Sequence, residues 1–79
     1  MEKRYRIFGQ NLHYLIRSSG HSMMGFCGRH DLAYSLLKRY TSGQVAPRPE
    51  RLKLFAEDLG VSPGSLMWDD LVPDIMELK

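Results

Sequence analysis

Cys27, His30 and His21 are the side chains whose types could do metal or covalent chemistry, and their number argues against both. Cys27 and His30 stand three residues apart with His21 nearby, and Cys27 is the only cysteine in the chain. A structural zinc site wants four ligands, usually with two or more cysteines, so the set falls short. A cysteine near a histidine could act as nucleophile and base, yet no third group is at hand to orient the base, and Cys27 falls on a packed face beside Phe26. Met23, Met24, Met67 and Met76 read as gap fillers or interface residues rather than a ligand box. The expectation is a protein that is not an enzyme and holds no metal or cofactor.

The charge pattern points elsewhere. The formal net charge of +2 hides a polarised chain: residues 1–40 hold seven Lys and Arg against two acids, and residues 41–79 hold four against seven. A basic half on an ordinary domain attracts polyanions, of which nucleic acid is the commonest large one in cytoplasm.

Seventy-nine residues, 43% hydrophobic and 25% charged, suit one domain over 1–79. Ordering the backbone costs roughly 1–2 kcal/mol per residue, which commits nearly every apolar side chain to a single core. An enclosed active site is not expected. No apolar run approaches the roughly 18 residues of a membrane span, so no membrane partner is expected. The start, Met1-Glu2-Lys3-Arg4-Tyr5-Arg6, leads into Phe8-Gly9-Gln10-Asn11 rather than into an apolar export segment. With a lone cysteine, the reading is a reducing compartment and a cytoplasmic protein.

The elements that position these groups read as helices. Phe8, Leu12, Leu15 and Ile16 follow the i, i+4, i+7, i+8 rule and predict a first helix over roughly Arg6 to Ser18, stopped by Gly20. Ser22 suits the cap of a short second helix that turns Phe26 and Cys27 inward, although Gly25 and Gly28 weaken it. Asp31-Leu32 breaks the pattern, and a third helix from Ala33 carries Leu37 and Tyr40 inward until Thr41-Ser42-Gly43. Residues 44–48 form a loop. Pro49 opens a fourth helix with Leu52, Phe55, Ala56 and Leu59 on one face and Gly60 as its left-handed cap. Ser62-Pro63 starts a fifth through Leu66, Met67 and Trp68, and Pro73 separates the tail. No period-2 runs or repeats occur, so the fold class is all-α with five short helices.

Residues 22–43 read S-M-M-G-F-C-G-R-H-D-L-A-Y-S-L-L-K-R-Y-T-S-G, which resembles the helix-turn-helix of the Cro and lambda-repressor (XRE-type) family. The likeness extends from Phe8 to Trp68 without a gap, with a C-terminal extension at about 69–79. Cys27 takes the place of the family's alanine where two helices cross closely, and Gly43 fits the turn where positive φ is easiest for glycine. The chain departs from the pattern at four places. Asp31 replaces the turn glycine, Met23 replaces the Gln that braces a phosphate, Ile16 and Thr41 replace an Arg–Glu pair, and His30 stands where an apolar residue is usual.

The resemblance implies a third helix that enters the major groove of double-stranded DNA, with Tyr34, Ser35, Leu36, Lys38 and Arg39 outward as base-reading residues. Leu36 would pack on a thymine methyl. It implies phosphate contacts from Ser22, from the backbone N–H at Met23, and from Thr41, Ser42, Gln44 and Arg48, the last also within reach of a narrow minor groove. Lys3, Arg4 and Arg6 are expected to form a flexible N-terminal arm along the DNA backbone. Trp68, Leu71, Val72, Ile75 and Met76 are expected to build a two-fold homodimer contact, because so much apolar surface is costly on a monomer. The function implied is a Cro-like phage or mobile-element repressor. The alternatives are an antitoxin-type autorepressor that binds a toxin, and an adaptor that binds protein rather than DNA.

Overall fold

The computed structural model of the protein describes residues 4–73 and contains five helices: α1 (Arg6–Ser18), α2 (Met23–His30), α3 (Tyr34–Thr41), α4 (Pro49–Leu59) and α5 (Pro63–Trp68). The all-α reading and its element order therefore hold. None of these helices is long and apolar enough to cross a membrane.

The punctuation of the chain follows its residue types. Ser22 and Ser62 cap α2 and α5, their side-chain oxygens accepting from the N–H groups of Gly25 at 2.9 Å and Ser65 at 3.1 Å. Pro63 and Pro49 each open a helix, where the missing N–H costs nothing. Gly60 ends α4 in the left-handed region. Asp31 ends α2 with φ 52°, the one non-glycine residue at positive φ among those described. This is the turn position at which the sequence departs from glycine, and the short Asp side chain tolerates it better than most.

α1 is the central element, in contact with α2, α3 and α5. Its buried face carries Phe8, Leu12 and Ile16, and the core continues through Phe26, Leu37, Tyr40, Phe55 and Leu66. Four aromatic rings interlock there: Phe26 lies 5.0 Å from Phe55, and Tyr40 5.9 Å from Phe55 and 6.2 Å from Phe8, all edge-on. Glycine at position 9 lets α1 approach α3, since a Cβ there would lie 2.6 Å from the carbonyl oxygen of Thr41.

At the N-terminus the two readings of Arg6, helix start and arm, resolve to one. Arg6 is not part of an arm: it is the first residue of α1, and the preceding turn is tied down by Tyr5, whose N–H donates to the Gly43 carbonyl at 3.0 Å. Arg4 is exposed in that turn, and Lys3 lies outside the described residues. At the other end, Asn11 is fully buried in α1 and holds the chain after α5. Its amide donates to the carbonyls of Leu66 at 2.9 Å and Asp69 at 2.6 Å, and its oxygen accepts from Leu71 N–H at 3.0 Å.

Candidate nucleic-acid interface

α2, the turn Asp31-Leu32-Ala33 and α3 form a helix-turn-helix. Leu32 anchors the turn by burying its side chain in the core while its N–H donates to the Cys27 carbonyl at 3.0 Å. Phe26 and Cys27 from α2 meet Leu37 and Tyr40 from α3 in the same cluster. Cys27 is 5% exposed in that cluster, and burial pushes its thiol above the ordinary range.

With Leu37 and Tyr40 turned inward, α3 presents Tyr34, Ser35, Lys38 and Arg39 to solvent. These four positions, i, i+1, i+4 and i+5, share one face of the helix. The ion pairs found among the described residues are those of Asp58 with Arg29 and His30, so Lys38 and Arg39 keep their charges uncompensated. Leu36 differs from expectation. It is half-buried against the core, which leaves only part of its side chain for an outward contact.

The residues expected around phosphates divide in three. Ser22 uses an oxygen lone pair to cap α2, which leaves its O–H free to donate. The Met23 side chain packs partly on the core, and its backbone N–H opens the helix without an intrahelical acceptor. Gln44 and Arg48 are exposed. Thr41 and Ser42, by contrast, are half-buried and donate their hydroxyls to the Lys38 carbonyl at 3.3 Å and the Arg39 carbonyl at 3.2 Å. They hold a phosphate only by giving up those bonds.

Sequence reasoning left His30 unexplained and missed Asp58 and Asn11. His30 Nε2 lies 2.8 Å from Asp58 Oδ2, and its ring sits 4.3 Å from Phe26 and 4.9 Å from Phe55. Arg29 bonds the other oxygen of Asp58 and also meets His21 Nε2 at 3.3 Å. Burial pushes the Asp58 carboxyl up, but the hydrogen bond from His30 and the charges of Arg29 and His30 outweigh it and hold the group below the usual carboxylate range. The end of α2 is thereby clamped to α4. A signal for Asn11 was present: it lies three residues from Phe8 and beside Leu12, on the apolar stripe of the first helix.

Of the expected dimer residues, Trp68 is 70% exposed. Leu71 and Val72 are half-buried, with Leu71 held by Asn11 and Val72 bordering an open groove of about 890 Å³ along the outer face of α1. Ile75 and Met76 lie outside the described residues.

No protein-family model matches the chain, and no curated protein matches it in sequence. A solved structure does match. The solution structure of LexA, an SOS-response transcriptional repressor from Eubacterium rectale, aligns with a TM-score of 0.78 and 18% identity, over 91% of this chain and 77% of that one. The two share a fold over the aligned residues.

Proposed function

We propose that this chain is a sequence-specific DNA-binding transcriptional regulator, a Cro-like repressor of a phage or mobile element that occupies operator DNA as a homodimer. The observation that carries the reading is the set Tyr34, Ser35, Lys38 and Arg39, exposed on α3 of a helix-turn-helix and without an ion-pair partner among the described residues. In the major groove, Arg39 and Lys38 donate to guanine O6 and N7, Ser35 pairs with several bases, and Tyr34 donates or accepts through its hydroxyl. The Ser22 hydroxyl and the Met23 N–H hold a phosphate on one side, and Gln44 and Arg48 on the other. That the similar structure is a transcriptional repressor supports the assignment.

Selection of a randomised duplex library on the purified protein tests it. An enriched inverted repeat with half-sites about one helical turn apart is the expected result. No enriched sequence would turn the assignment to an adaptor that binds protein. The exposed Trp68 also favours a protein contact, and co-purification of a toxin would identify the chain as an antitoxin.

A further inference from the structure

The groove of about 890 Å³ on α1 runs along the side of the helix opposite Phe8, Leu12 and Ile16. Two chemistries meet in it. Ile7, Tyr14 and Val72 are half-buried and give it apolar surface, while Arg6, His13 and Arg17 are exposed and border it with basic groups. Among the described residues neither arginine forms an ion pair, and the one carboxylate that lines the groove, Asp70, forms none either. An apolar strip flanked by unmatched cations suits an occupant that offers apolar side chains and carboxylates together.

The chain's own continuation has that composition and starts at the groove. Asn11 on α1 accepts from the Leu71 N–H at 3.0 Å, Val72 lines the groove, and Pro73 is the last described residue. Asp74, Ile75, Met76, Glu77, Leu78 and Lys79 follow it. They supply three apolar side chains and two carboxylates against a single lysine. The length also agrees. With its 13 residues α1 is about 20 Å long, and the six residues after Pro73 span up to about 20 Å when extended. Because Asn11 stands near the middle of α1, either end of the helix is within their reach. A segment tethered beside its site has an effective concentration on the order of millimolar, so contacts too weak to hold a free peptide suffice.

We propose that residues 74–79 dock in this groove of their own molecule, with Ile75, Met76 and Leu78 against Ile7, Tyr14 and Val72, and with Asp74 and Glu77 facing Arg6, His13 and Arg17. The tail is then an internal competitor for any protein that presents an acidic, apolar segment to α1. It also takes Ile75 and Met76 out of the two-fold contact expected for them and leaves that role to Trp68. No described residue of α2 or α3 lines the groove, so the inference does not depend on the DNA-binding reading.

The test uses the full chain, isotopically labelled, in solution. Nuclear Overhauser contacts from the Ile75 or Leu78 methyl groups to the Tyr14 ring are expected, with the same intensity across a concentration series. Ile75→Asp combined with Leu78→Asp removes them and shifts the backbone amides of Gln10 and Arg17, while the helical circular dichroism stays that of the parent. A free peptide of residues 74–79 then shifts those amides saturably in the double variant, and binds the parent about tenfold more weakly because the groove is taken. Arg17→Glu, added to the double variant, weakens the peptide about threefold, the scale of one exposed ion pair. No contact from the tail to Tyr14 in the parent overturns the proposal, as does equal peptide binding to parent and double variant. Contacts that arise only between differently labelled chains in a mixed sample place the tail on a second copy and overturn it too. An affinity unchanged by Arg17→Glu overturns the charge pairing.

Discussion

Arg39 holds its charge on the outward face of α3 with no carboxylate among the described residues to neutralise it. Arg39→Ala is expected to cost about 1–3 kcal/mol of operator binding and to relax preference at one base pair. Competition between operator variants in a gel-shift assay checks this, and equal loss on every sequence would contradict a base-reading role. Asn11 carries its weight in the opposite environment. It sits fully buried, and both its donor and its acceptor are used across about sixty residues of chain. Asn11→Asp keeps the shape but sets a carboxylate oxygen against the Leu66 and Asp69 carbonyls. The expected loss of folding stability is about 1–3 kcal/mol or more, read by urea denaturation at neutral pH. Arg39 was legible in the sequence because exposure follows from helical spacing alone. For Asn11 that spacing signals burial, but its partners were not legible, because they lie at the far end of the chain.

Gly9 shows how helix propensity and packing compete at the next scale. Alanine would favour the isolated α1 by about 1 kcal/mol, but its Cβ would meet two backbone carbonyl oxygens of α3, neither of which can swing away. Overpacking of this kind costs about 1–3 kcal/mol, so Gly9→Ala is expected to lower the melting temperature, measured by circular dichroism. The clamp between α2 and α4 has a pH signature. The folded-state pKa of Asp58 is depressed, so its contribution is present above the unfolded carboxylate value of about 3.9 and is lost as pH falls through the folded one. The stability gap between the parent and Asp58→Asn should therefore be wide near neutrality and close in acid. Paired denaturation curves across that range measure it, and a gap that stays constant would remove the ionised carboxylate from the account. Helix boundaries and the serine and glycine caps were readable from local residue types, and the left-handed turn at Asp31 from the family resemblance. The clamp needed the register of α2 on α4.

For the molecule as a whole, the described part of the tail leaves less apolar surface open than its composition suggested. Leu71 and Val72 lie partly against their own domain, and Trp68 stands out. A large exposed indole is typical of a contact centre. Sedimentation at tens of micromolar is expected to show dimer, and Trp68→Ala to shift the equilibrium toward monomer without loss of helicity. Monomer alone across the concentration series would make Trp68 available to another partner.

The sequence by itself determined the five helices, the serine, proline and glycine punctuation of α2, α4 and α5 and the inward stripes, because each depends on residues within a turn or two of one another, while the helix-turn-helix at 22–43 came from the family resemblance. It also determined that Tyr34, Ser35, Lys38 and Arg39 share an outer face. Only the tertiary structure decided that Leu36 leans on the core and that the Thr41 and Ser42 hydroxyls are engaged with their own helix. It alone brought Asp58 to His30 and Arg29, and Asn11 to the chain after α5. Those contacts join residues distant in sequence, and helical periodicity states which way a side chain points but not which element arrives to meet it.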